Sequence, residues 1–216
     1  MGAISQIFFV NKHSFTMKRI PFLLIYSRIL IGMIIGVIAY FRIEDYSTWI
    51  VILMITGLLT DVFDGIIARK LNVSSEKLRI WDSNVDLFFW LITIISIFLL
   101  NIPFILENKF WILSILTLEF LAYILSYLKF KKTIATHSIL AKTWTLVLLI
   151  FLIDLCVNSH SYLPFIFCIL LGILSRIEII AIILSLKKWT TDVPSILVVA
   201  KINKGISFKK SKFFNS

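Results

Sequence analysis

The sequence predicts an all-α, polytopic membrane protein with six transmembrane helices, and three observations predict it. The first is composition. The 216 residues are 59% hydrophobic and 16% charged, with a mean hydropathy of +0.97, whereas soluble domains average about 45–50% apolar and about 25% charged residues. The second is a set of six apolar segments, at about 20–41, 48–70, 80–100, 110–129, 139–157 and 162–186. Each is close to the ~20 residues that a helix needs to cross a bilayer. The third is charge placement. Of 22 Lys and Arg, seventeen fall on one side of this six-span arrangement, two (Arg42 and Lys109) on the other, and three (Arg28, Lys142 and Arg176) inside spans. The positive-inside rule then puts both termini in the cytoplasm.

Residues 1–19 mix Phe8, Phe9 and Phe15 with Lys12, Lys18 and Arg19, a composition that suits either a helix lying on the cytoplasmic face or a frayed tail. The apolar run Ile4 to Val10 is short and has no basic flank before it, so a secretory signal is not expected. Residues 20–186 form the six-helix domain. Its spans are expected to be helices, because a lone strand cannot satisfy its backbone in lipid, and short connections make neighbours antiparallel. Residues 187–216 read as a basic cytoplasmic tail. The net charge of +10 sets topology and meets anionic lipid; with the lysines in short loops and a tail, nucleic acid is not expected as a partner. Cys156 and Cys168 lie in apolar stretches and read as small core residues.

The second and third spans break the apolar pattern. They carry Asp61-x-x-Asp64-Gly65-x-x-Ala68-Arg69 and then Asp82-x-x-x-Asp86. One charged side chain at the bilayer centre costs roughly 2.5–3.5 kcal/mol on insertion scales, so four call for a neutralising partner. Asp61 and Asp64 are three apart, Asp82 and Asp86 four apart, so each pair shares a helix face. A short cytoplasmic hairpin brings the pairs to similar depth. Four hard oxygen donors suit Mg²⁺ or Mn²⁺, and two ions ~3.5–4 Å apart would suit displacement at phosphorus. Gly65 and Ala68 beside the acids leave room for a ligand; close helix packing is the alternative.

These residues resemble the CDP-alcohol phosphatidyltransferase family. Its motif is Asp-x-x-Asp-Gly-x-x-Ala-Arg, eight residues, Gly, three residues, Asp, three residues, Asp. Over 26 residues, seven of the eight fixed positions match in register; the departure is Leu78, where the family has glycine. Ile20-Pro21 through Arg28 loosely resembles the opening of the phosphatidylglycerophosphate synthase type. Ala141-Lys142-Thr143-Trp144-Thr145 resembles its Gly-Lys-x-x-Thr element.

The resemblance implies transfer of a phosphatidyl group from a CDP-linked lipid donor, CDP-diacylglycerol, to a polar alcohol such as glycerol 3-phosphate, with release of CMP. It implies that Asp61, Asp64, Asp82 and Asp86 hold two Mg²⁺ or Mn²⁺ ions and that Asp86 is also the catalytic base. Gly65, Ala68 and Arg69 would line the CDP-donor site, and Arg28 and Lys142 would bind acceptor or phosphate. Arg69 has a lipid-paired anchor as its alternative role, Lys142 a snorkelling one, and Arg28, about two turns inside its span, pairing with an aspartate. Members of this type often form homodimers, and a bacterial inner membrane is the expected location. Inositol phosphate or serine are alternative acceptors. An ion or proton transporter and a catalytically inactive structural relative are the alternatives of other classes. Of the other membrane acids, Glu119 and Glu178 are expected to make structural pairs, with Arg176 paired to Glu119 or Asp154.

Overall fold

The computed structural model describes residues 20–71, 76–132, 134, 138–191 and 193–206. The proposed interfacial helix within 1–19 lies outside them, as does 207–216. The described residues form eight helices: α1 (Ile20–Phe41), α2 (Tyr46–Lys70), α3 (Glu76–Leu100), α4 (Ile102–Glu107), α5 (Lys109–Phe130), α6 (Ile139–Asn158), α7 (Leu163–Ser185) and α8 (Ile196–Asn203). Six of them are long and apolar enough to cross a membrane, so the protein is an all-α multi-pass membrane protein. The chain divides into two compact units, up to Ser96 and from Ile97.

In the first unit, α1 follows a regular spacing. Pro21, Ile25, Arg28, Gly32, Ile35 and Ala39 are buried at alternating steps of four and three, the stripe one helix offers its neighbours. Leu23, Leu30 and Val37 on the opposite face stay exposed, as lipid-facing side chains do. Phe89 of α3, 1% exposed, is where the three helices converge. A Cβ on Gly32 of α1 would touch its ring at 3.6 Å, and a Cβ on Gly57 of α2 would fall 2.7 Å from its Cε2. The absent Cβ at Gly57 therefore lets α2 close onto the ring. Gly57→Leu is expected to overpack this layer and cost about 1–3 kcal/mol, read as a lower unfolding midpoint in detergent.

In the second unit, Ile179 and Ile183 of α7 pack on Ala122 of α5, with Ala141 of α6 against the same cluster. Phe104, Phe151 and Phe165 form an aromatic cluster with centroids 5.2–6.0 Å apart. The Ser138 hydroxyl caps α6 by accepting from the Ala141 amide at 3.1 Å. Lys129 donates to the carbonyls of Ile183 and Leu184 at the end of α7, where a cation meets the negative end of the helix dipole.

The segment from 187 on, whose charge reads as a tail, carries α8. Val193 and Val199 bury against Ile182 and Leu186. The Glu178 carboxylate accepts from the Ile196 amide at 3.3 Å, and Asn203 accepts from the Lys187 amide and donates to the Ser185 carbonyl.

Candidate active site

The four aspartates and Arg28 all belong to the first unit. Arg28 is fully buried, and its guanidinium reaches every one of the four carboxylates. Nη1 donates to Asp61 Oδ1 at 2.9 Å and to Asp86 Oδ1; Nη2 donates to Asp64 Oδ2 and Asp82 Oδ1. Helix periodicity explains the convergence. Asp61 and Asp64 present one face of α2, Asp82 and Asp86 one face of α3, and Arg28 sits on the buried stripe of α1.

Two apolar layers bracket this polar cluster. On one side lie Gly32, one turn beyond Arg28; Gly57, one turn before Asp61; and Phe89, one turn beyond Asp86. On the other lie Ile25 and Ala68, packed with Val85, which sits between Asp82 and Asp86 along α3. The apolar layers lower the local dielectric and strengthen every charge interaction between them.

Asp64 is buried, but the side chains of Asp61, Asp82 and Asp86 keep 37, 29 and 28% of their surface exposed. A ligand can therefore reach three of the four. Oxygens of Asp61, Asp64 and Asp82 lie within 4.8 Å of one another, a spacing that could hold a metal ion. Formal charge agrees, since four carboxylates against one guanidinium leave an excess of three negative charges. The donor set is all carboxylate oxygen, the preference of hard divalent cations.

The other expected site residues are placed as follows. Gly65 faces open space: a Cβ there would meet nothing within 4 Å, so helix packing does not require this glycine. Ala68 is buried in the packing of α1 and α3. Arg69 lies on α2 and Leu78 on α3, with their side chains outside the described part. Lys142 belongs to the second unit, in the first turn of α6. Arg176 pairs with Glu119, and its guanidinium carbon lies 4.2 Å from the centre of the Trp144 ring. Trp144 in turn donates to the Cys168 carbonyl at 3.0 Å. Asp154 instead accepts from Asn158 one turn on.

Pairing of Arg28 with an aspartate is legible in the sequence; that one guanidinium gathers both aspartate pairs is not. The available signal was an arginine two turns inside a span. Sequence reasoning also missed Phe89 and Gly57, which look like any other residues of apolar helices.

The sequence model of the CDP-alcohol phosphatidyltransferase family matches residues 18–191. The chain belongs to that family. No curated protein and no solved structure matches it. The match covers all of α1 to α7, so both units are part of the transferase. Membership makes the protein a phosphotransferase of phospholipid synthesis, acting between a CDP-alcohol donor and an alcohol acceptor in a membrane.

Proposed function

We propose that this transferase moves the phosphatidyl group of CDP-diacylglycerol to glycerol 3-phosphate and releases CMP, with its site at the cytoplasmic surface. The observation that carries the reading is the gathering of four carboxylates, three of them accessible, around one buried cation in a chain of this family. Asp61, Asp64, Asp82 and Asp86 would hold two Mg²⁺ or Mn²⁺ ions. Bound there, the ions would neutralise the pyrophosphate and the leaving CMP.

The chain's own residues supply the rest. Asp86 accepts the proton of the attacking hydroxyl on Oδ2, since Arg28 engages its Oδ1. The open space at Gly65 takes part of the CDP group, Ala68 sets the helix spacing beside it, and Arg69 offers a planar donor to the diphosphate. Arg28, fully buried and donating to all four carboxylates, fixes their orientation. Glycerol 3-phosphate is favoured over inositol phosphate or serine by the Pro21–Arg28 and Lys142–Thr145 matches.

The test is CMP release by purified protein given CDP-diacylglycerol and Mn²⁺, with each acceptor in turn. Release that depends on glycerol 3-phosphate is expected. Release with serine or inositol phosphate alone would refute the acceptor only, and no release with any acceptor would refute the reaction.

Gly65→Leu gives an independent check. Leucine improves helix propensity by up to about 1 kcal/mol and meets no neighbour, so the unfolding midpoint should not fall. The KM for the CDP donor should rise at least about tenfold, the equivalent of ~1.4 kcal/mol. An unchanged KM would take Gly65 out of the donor site.

A further inference from the structure

The second unit holds a cavity of about 710 Å³ that the transfer reaction does not use, within the roughly 300–1,000 Å³ range of small-molecule sites. It lies where α4 meets α5 and α6 turns into α7. In that unit this is the end away from Lys129, Lys131 and Lys132. Its body is apolar, formed by Phe104, Trp111, Phe165, Ile166, Ile169 and Leu170. Its rim is polar, with Glu107, Asn108, His160, Ser161 and Tyr162. Apolar wall and polar rim at the end of membrane-spanning helices match the two halves of a lipid.

Two details of the rim narrow the choice. Ser161 is 8% exposed, and its hydroxyl, buried at the cavity, has no hydrogen-bond partner among the described residues. A buried hydroxyl ordinarily finds a partner, so a ligand atom is expected there. Among the lining residues described, Glu107 is the one acid, and none is a Lys or Arg. The neighbouring cation, Lys109, holds its ammonium over the Phe110 ring. The Asn108 amide nitrogen donates one N–H to the Phe104 carbonyl at 3.0 Å, and its oxygen is an acceptor. The rim thus offers a carboxylate, an amide oxygen and a hydroxyl oxygen. A primary ammonium has three N–H donors to meet them.

We propose that this cavity binds an aminophospholipid, with its ammonium at Glu107, Asn108 and Ser161 and the start of one acyl chain against Phe165 and Ile169. An anionic headgroup would bring its charge against Glu107, and a quaternary ammonium would leave all three acceptors without a hydrogen bond.

The test is native mass spectrometry of the full-length protein in detergent. Phosphatidylethanolamine, phosphatidylglycerol and phosphatidylcholine of identical acyl chains are supplied in equal amounts. One phosphatidylethanolamine should be retained at least tenfold over either competitor. Glu107→Gln, at an exposed position, should bring that ratio close to one, and Ile166→Trp should cut retention of all three by filling the apolar part. Equal retention by the wild-type protein would overturn the proposal. So would a preference for either competitor, an ethanolamine preference undiminished in Glu107→Gln, or undiminished retention in Ile166→Trp.

Discussion

Asp86→Asn is expected to lower kcat for CMP release by about 10²–10⁴-fold, the usual contribution of a positioned general base, with little loss of stability. Asparagine has nearly the shape of aspartate and keeps a carbonyl oxygen where Asp86 Oδ1 accepts from Arg28 Nη1. What it loses is the negative charge and the ability to take a proton. The Asp86 side chain is 28% exposed, so no buried group loses its partner outright. The substitution also lowers the excess negative charge of the cluster from three to two, which weakens cation binding. The measurement must therefore be made at saturating Mn²⁺, with a titration to show saturation. A kcat loss that persists at saturation assigns the proton transfer to Asp86. Full recovery at high Mn²⁺ would leave it a metal ligand alone. Asp61→Asn should show the opposite balance, a large rise in the Mn²⁺ requirement and a smaller loss of saturated kcat.

The long elements were legible in the sequence because lipid imposes length and hydrophobicity together. The apolar run at 48–70 became Tyr46–Lys70, and that at 162–186 became Leu163–Ser185. The short helices Ile102–Glu107 and Ile196–Asn203 were not, since six or eight residues carry too little periodicity to stand out. Within the spans, hydropathy could not separate packing from lipid contact. Phe89 is buried and Phe88 is exposed, yet both are phenylalanines in one apolar run. In an aqueous protein that difference would be written as polarity; in a membrane both faces are apolar.

Polar residues are the exception, because each must find a partner. That is why the aspartate pairs could be put on shared faces from spacing alone, and why Arg176 could be narrowed to Glu119 or Asp154. Asp154 lost because Asn158, one turn away, satisfies it. The reach of Arg28 to residues 33 to 58 positions away depends on how three helices pack, which spacing along one helix does not encode.

Arg28→Met is expected to destabilise the protein by about 3–5 kcal/mol in chelator, and saturating Mn²⁺ is expected to restore most of that loss. Removing one partner of a buried charge network leaves uncompensated charge in a low-dielectric setting, which carries a penalty of that size. Here one fully buried guanidinium faces four carboxylates, and methionine keeps its apolar stem between Ile25 and Gly32 while deleting the charge. A divalent cation binding the folded cluster would supply the missing charge, stabilising the native state by mass action. The wild-type protein, already partly neutralised, should gain less from Mn²⁺ than the variant does. Arg28→Lys should fall between them, because a lysine ammonium is a point charge with three donors and cannot fork across two helices as a guanidinium does. Unfolding midpoints of the three proteins in chelator and in Mn²⁺ give the comparison. If Arg28→Met unfolds at the wild-type midpoint in chelator, Arg28 is not what neutralises the aspartates. If Mn²⁺ raises all three midpoints equally, the arginine and the metal do not compensate the same charges.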